Sequence, residues 1–167
     1  GSRRGGDVTD HSADARLGDV QAKSRLDAER LDAYLAGRLE DYSGPLAIRQ
    51  YAGGQSNPTY SLDTPNRRYV LRKKPPGKLL PSAHAVDREY RILSSLRPAG
   101  IPVPQALLYC DDPEVIGTPF YVMDHLDGRI LRDPRLPDMS PQERAAIYDE
   151  MGAVLARLHA VDLDATG

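Results

Sequence analysis

The 167-residue chain has no tryptophan, one phenylalanine and one cysteine. A lone cysteine, Cys110, closes no internal disulfide and builds no zinc site by itself. Disulfide-stapled and zinc-ribbon folds are therefore excluded, and a reducing compartment is expected. Cys110 reads as a small buried residue at a strand end. No apolar run approaches the roughly 18 to 20 residues that a membrane helix needs. The first residues are rich in Gly, Ser and Arg, which reads as no secretory leader, and Gly1-Ser2 has the look of a cloning remnant. A soluble, cytoplasmic protein is the expectation. Strong net charge is missing too. The balance is 22 basic against 24 acidic side chains, net −2, which supplies no bulk attraction to nucleic acid or anionic lipid. Nor does any strand carry the paired aromatics of an RNA-stacking platform. Neither nucleic acid nor membrane is expected as a partner.

What is present suits one domain with a real core, since 40% of residues are hydrophobic and 28% charged. The charge is unevenly placed. Between Arg67 and Arg91 stand eight basic residues against Asp87 and Glu89, and from Asp111 onward twelve acidic residues face five arginines. The basic middle suits a phosphate ligand, or else it is a solvated face balanced by acidic neighbours.

Periodicity predicts the elements. Residues 1–24 carry few large apolar side chains and read as a flexible lead-in. Leu31, Leu35 and Leu39 recur every four residues, predicting a helix over 27–41 that Ser43-Gly44-Pro45 stops. Alternation then predicts three strands, over 46–52, 59–63 and 68–73, joined as an antiparallel meander. A helix over 82–96 puts Val86, Tyr90 and Leu93 on one face. Ile101-Pro102-Val103-Pro104 is extended, because the residue before proline is pushed out of the helical region. Two more strands follow, over 106–109 and 119–124, with a turn at Asp111-Asp112-Pro113. The last helix is signalled by Ser140, Pro141 and Glu143, a capping box with proline in the first turn. Its apolar stripe is Ile147, Met151, Val154, Leu155 and Leu158.

Three places in this pattern suit chemistry. Gly53-Gly54 lies between two strands, where missing Cβ atoms let backbone N–H groups approach an anion, and Ser56 and Asn57 add side-chain donors. In Tyr69-Val70-Leu71-Arg72-Lys73, alternation puts Val70 and Arg72 on one face and Leu71 and Lys73 on the other. A cation at Arg72 beneath the glycine loop would meet phosphate oxygens, and Glu89 in the following helix is placed to pair with it. Finally, Phe120 to Asp124 is an apolar strand that breaks into His125-Leu126-Asp127-Gly128, where a purine ring would slot against backbone groups. Each place also reads as ordinary structure: a hairpin loop, an exposed strand cation, the end of a core strand.

The order and wording of these segments are recognisable. "YAGGQSNPTYSL", "YVLRKKPPGKLLPSAHAVDREYRIL", "GIPVPQALLYCDD", "GTPFYVMDHLDGR" and "LARLHAVD" resemble the aminoglycoside phosphotransferase family. They look most like the branch found alone or fused to acyl-CoA dehydrogenases. The resemblance covers roughly residues 27–162. It implies an α+β fold, the small lobe of a protein-kinase-like fold: a five-stranded antiparallel sheet plus helix, preceded by one helix and followed by the first helix of a second lobe. The boundaries expected are 1–24 for the lead-in, 25–127 for the small lobe with hinge, and 128–167 for a linker and that helix.

The resemblance further implies ATP- or GTP-dependent phosphoryl transfer, with Mg²⁺, to a small-molecule hydroxyl. Gly53, Gly54, Gln55, Ser56 and Asn57 match the phosphate-covering loop. Val70 and Arg72 match the third-strand positions under it, and Glu89 matches the acid of the second helix. Met123, Asp124, His125 and Leu126 match the hinge that holds the base. Arg72 stands where many members carry Lys; Arg keeps the charge and adds a bidentate fork, and Lys73 is the alternative.

In the family, a second lobe supplies a catalytic Asp, an Asn and a metal-binding Asp. The only asparagines here are Asn57 and Asn66, so no catalytic or metal-binding residue is assigned. His159-Ala160-Val161-Asp162 misses a His-x-Asp spacing by one residue and reads as a helix end. The chain is thus expected to bind nucleotide and to be inactive by itself. The alternative is a non-catalytic interaction module, a homodimer through the last helix, whose stripe would otherwise lack cover.

Overall fold

The computed structural model describes residues 17–18, 25–52, 57–75 and 85–162. Ten elements follow in order: β1 (Leu17–Gly18), α1 (Ala28–Ala36), β2 (Ala47–Tyr51), β3 (Thr59–Asp63), β4 (Arg68–Lys73), α2 (Val86–Leu96), β5 (Ala106–Cys110), α3 (Pro113–Ile116), β6 (Phe120–Asp124) and α4 (Pro141–His159). The strands form one sheet in the order β1-β2-β3-β4-β6-β5. Every neighbouring pair is antiparallel. The fold is the α+β small-lobe arrangement expected, with a sixth strand where five were predicted. Leu17 and Gly18 pair with Tyr51 and Gln50, so the segment before residue 25 contributes an edge strand. Two residues without apolar alternation carry no strand signal. Their pairing comes from the open edge of β2.

Alternation gives the sheet two different faces. Tyr60 and Leu62 of β3, Tyr69 and Leu71 of β4, and Phe120 and Val122 of β6 point to one side. There they form the core with Leu31, Leu35 and Leu39, plus Val115 and Cys110. The opposite face carries Ser61 of β3, Val70 and Arg72 of β4, and Tyr121 and Met123 of β6. It is covered by α2, whose Val86 is buried and whose Tyr90 ring lies 6.3 Å from that of Tyr121.

Local chemistry explains the helix ends. Asp27 caps α1 by accepting from the Arg30 amide. The helix ends at Ala36, not at 41 as the leucine spacing suggested. Gly37 closes it, and the amides of Arg38 and Leu39 both turn back to the Leu35 carbonyl. That turn still delivers Leu39 to the core, so the four-residue spacing outlives the helix. Where Asp111-Asp112-Pro113 predicts a turn, the chain forms the short α3. Asp112 caps it, Pro113 opens it, and Gly117 ends it at φ +82°, where a residue lacking Cβ is favoured. The Arg30 guanidinium donates to the Glu114 carbonyl and ties α3 to α1. In α4 the capping box is present in full: Ser140 Oγ accepts from the Glu143 amide, and a Glu143 carboxylate oxygen accepts from the Ser140 amide. The predicted start of α2 at 82–84 lies outside the described residues. Among the described residues, no helix is long and apolar enough to cross a membrane.

Candidate functional site

The candidate site is built on the α2-covered face of the sheet. Arg72 sits on β4 directly opposite Tyr121 of β6, and Val70 opposite Met123. The same register puts Ser61 opposite Val70 and Thr59 opposite Arg72. The ladder fixes these neighbours, because a one-residue slip would send every side chain to the other face. From above this face, α2 lowers Glu89.

Glu89 gathers three groups from three parts of the chain. Its Oε1 accepts from Asn57 Nδ2 at 2.7 Å. Its Oε2 accepts from the Tyr121 hydroxyl at 2.9 Å, and Arg72 Nε stands 3.3 Å from the same oxygen. Asn57 and Tyr121 are almost wholly buried, at 3% and 1% exposure. Arg72 and Glu89 keep about a third of their side chains open, 32% and 34%. A cation and a carboxylate are thus held side by side on a buried floor, with one edge facing solvent. Burial, then the Glu89 charge, pushes the Tyr121 phenol up, so it remains a hydrogen-bond donor across the physiological range.

The hinge end of the same sheet carries a second polar group. Asp63 Oδ1 accepts from Ser61 Oγ and Arg68 Nε, and its Oδ2 from Arg49. Burial works to raise this carboxyl, but the Ser61 hydroxyl and the two guanidinium groups outweigh it and hold it below the usual range. Arg67 reaches across to Asp124 Oδ1 at 2.5 Å, its guanidinium 5.1 Å from the Tyr69 ring centre. The Asp124 amide donates to the Gln105 carbonyl. These residues open on a cleft of about 660 Å³ lined by Asp63, Arg67, Arg68, Asp124, His125 and Asp127, with Thr64 at its edge. In it, His125 Nε2 is buried without a hydrogen-bond partner, and Nδ1 is 3.5 Å from Asp127 Oδ1.

The predicted site residues are therefore distributed as follows. Asn57 and Arg72 converge on the Glu89 carboxylate, and Val70 with Met123 forms the adjoining apolar floor. Asp124, next after Met123, and His125 line the hinge cleft, while Leu126 is 53% exposed. Gly53, Gly54, Gln55 and Ser56 lie outside the described residues. Lys73, the alternative to Arg72, is buried at 7% exposure and shares the core-facing side of β4 with Leu71. Burial alone pulls its ammonium down. Four of the eight residues of the basic middle stand in separate pairs: Arg67 with Asp124, Arg68 with Asp63, Arg72 with Glu89 and Arg91 with Asp87. Among the described residues no cluster of three His, Cys, Asp or Glu side chains is placed to hold a metal ion. The sequence reading passed over Tyr121 and the Arg49–Asp63–Arg68 group. Alternation could put each on a face, but the facing partner is known only once the strand register is known.

Known proteins resemble the chain over most of its length. Residues 47–167 match the model of the phosphotransferase enzyme family. Acyl-CoA dehydrogenase family member 11 of Gallus gallus is 50% identical over 153 residues, covering 89% of this chain and 20% of that protein. Acyl-CoA dehydrogenase family member 10 of Mus musculus is 49% identical over 148 residues, covering 88% and 14%. The Arabidopsis thaliana probable acyl-CoA dehydrogenase IBR3 is 44% identical over 156 residues, covering 89% and 19%. The chain thus spans a fifth or less of these relatives. A crystal structure from Ralstonia eutropha JMP134, assigned to the aminoglycoside phosphotransferases, superposes with a TM-score of 0.75 at 45% identity. That match covers 86% of this chain and 41% of that one. With a family model over most of its length and the matching fold, this chain belongs to the phosphotransferase enzyme family.

Proposed function

We propose that the chain is the nucleotide-holding lobe of an ATP- or GTP-dependent phosphotransferase that acts on a small-molecule hydroxyl. The observation that carries this reading is the Arg72–Glu89 pair on the α2-covered face. It is a part-exposed cation, anchored by a carboxylate, whose Nε–H has no hydrogen-bond partner. Such a group suits the oxygens of a phosphate, with which a guanidinium forms short, charge-assisted bonds. On this reading residues 25–127 act as small lobe and hinge, and 128–167 lead into a second lobe. Gly53 to Ser56 cover the phosphates, Val70 and Met123 floor the base, and backbone groups from Asp124 to Leu126 meet its edge. Bound Mg²⁺ would neutralise phosphate charge during transfer; no described residue is assigned to it. With Asn57 engaged by Glu89, and Asn66 donating to the Asp41 carbonyl in a turn, no asparagine is free for a metal-holding role. The chain is accordingly proposed to bind nucleotide without turning it over. The site lies in the reducing interior of the cell on the same reading.

The test is thermal unfolding with and without millimolar Mg-ATP, Mg-GTP and Mg-ADP. A ligand at about 100 times its Kd adds about 2.7 kcal/mol, which raises Tm by several degrees for a chain of this size. Unchanged midpoints with all three nucleotides would sink the reading.

A second reading, an interaction module, is favoured by α4. Tyr148, Met151, Leu155 and Leu158 are 50%, 59%, 52% and 39% exposed, and none of the helix's residues is buried. Contiguous apolar surface of this kind associates. Light scattering at high protein concentration is expected to show a homodimer that Met151→Glu returns to monomer. A monomer at every concentration refutes this second reading and leaves the first untouched.

A further inference from the structure

This inference rests on the nucleotide reading above. An arginine beside a glutamate ordinarily closes a hydrogen-bonded ion pair. Here it does not. Both Glu89 oxygens already accept hydrogen bonds, Oε1 from Asn57 and Oε2 from Tyr121. Arg72 Nε lies 3.3 Å from Oε2, within reach of charge attraction, yet it is buried with no hydrogen-bond partner. A buried donor in that state carries a free-energy cost that a hydrogen bond would relieve.

Tyr121 shares Glu89 Oε2 with Arg72 and holds the hydrogen bond that Arg72 lacks. It faces Arg72 directly across the β4–β6 ladder, so both side chains reach toward the same carboxylate from adjacent strands. Tyr121 is 1% exposed, its ring lies 6.3 Å from that of Tyr90, and its hydroxyl donates to Glu89 Oε2. The high phenol pKa keeps the proton on the oxygen, so the group donates to Glu89 and never competes with it as an anion.

We infer that Tyr121 is a positioning residue. By holding Glu89 Oε2 it tethers Arg72 through charge alone and leaves the guanidinium donors available to the phosphates of a bound nucleotide. Without the hydroxyl, Glu89 turns its free oxygen to Arg72 and closes the ion pair. An arriving phosphate must then break a charge-assisted bond before it can form its own.

The experiment uses Tyr121→Phe in the full chain, with two readouts. The first needs no ligand: the Arg72 Nε–H resonance in an arginine-selective NMR spectrum. It is expected to move downfield in the variant as the bond to Glu89 closes, and an unmoved resonance overturns the inference. The second is calorimetric titration with Mg-ATP and with adenosine, the phosphate-free probe. Kd for Mg-ATP is expected to rise on the order of tenfold, the equivalent of one hydrogen bond, with adenosine unchanged. Glu89→Gln in the Tyr121→Phe background is expected to restore ATP affinity, because a neutral amide holds Arg72 weakly. Wild-type ATP affinity in Tyr121→Phe overturns the inference, as does an equal loss for ATP and adenosine, which marks a merely structural role. If the wild-type chain binds neither ligand, the nucleotide reading fails and takes the phosphate role with it, while the resonance still reports whether Tyr121 separates the pair.

Discussion

Arg72→Ala is expected to weaken Mg-ATP binding by roughly ten- to a hundredfold and to leave adenosine binding unchanged. The size follows from the chemistry of the contact. A hydrogen bond to a charged group contributes about 1.5–3 kcal/mol, and about 1.4 kcal/mol is one factor of ten in Kd. The upper end requires the guanidinium to use two donors at once, which its planar fork permits. The apo fold should barely notice the change. Arg72 is part exposed, and Glu89 keeps its hydrogen bonds from Asn57 and Tyr121 when the cation is gone. Titration calorimetry on the variant checks the affinity, and a urea melt checks that stability is unaltered. Arg72→Lys, which preserves charge but loses the fork, should fall between the two. If alanine binds Mg-ATP as tightly as the wild type, the phosphate contact lies elsewhere on the sheet. Lys73 is a poor substitute, since it is buried on the core-facing side of β4.

Leu35→Ala is expected to have the largest effect on stability, a loss of about 2–5 kcal/mol. Leu35 is fully buried in α1 and shares the core with Leu31, Tyr60, Leu62, Tyr69, Leu71 and Phe120. Removing three carbons there loses their transfer energy and leaves a cavity that rigid neighbours fill poorly. Aromatic rings and strand residues held by a ladder have little freedom to collapse inward. A total stability of about 5–15 kcal/mol is usual for a domain, so the loss is a large share of it. Leu155→Ala is the matched control. Its side chain is 52% exposed on α4, and a change of under about 0.5 kcal/mol is expected. Urea denaturation of both proteins tests the contrast. Equal losses would mean that α4 packs in solution against a surface that this fold does not show.

Much of this architecture was legible before any coordinates. The strands over 59–63 and 68–73 alternate cleanly between two kinds of side chain, and both appear where the period placed them. The capping box at Ser140 announced α4, because its two reciprocal hydrogen bonds depend only on residues three apart. What failed was non-local or masked by a stronger local pattern. The leucine stripe ran past the end of α1, since a turn after Gly37 keeps Leu39 on the core side without a helix. The edge strand at Leu17–Gly18 has no pattern of its own and exists because β2 offers unpaired backbone groups.

The same division runs through the candidate site. Sequence by itself determined that Val70 and Arg72 share a face, that Lys73 does not, and which family's wording the chain carries. All of these depend on local order and on the two-residue period of a strand. Only the tertiary structure decided that Tyr121 stands across from Arg72, that Asn57 and Tyr121 both bond Glu89, and that Asp63 is held between Arg49 and Arg68. Those contacts join residues far apart in the chain. They depend on the register between β4 and β6 and on the height at which α2 crosses the sheet, and no local pattern encodes either. Register is selected by the whole core at once, because only one alignment buries Tyr69, Leu71, Phe120 and Val122 together against α1.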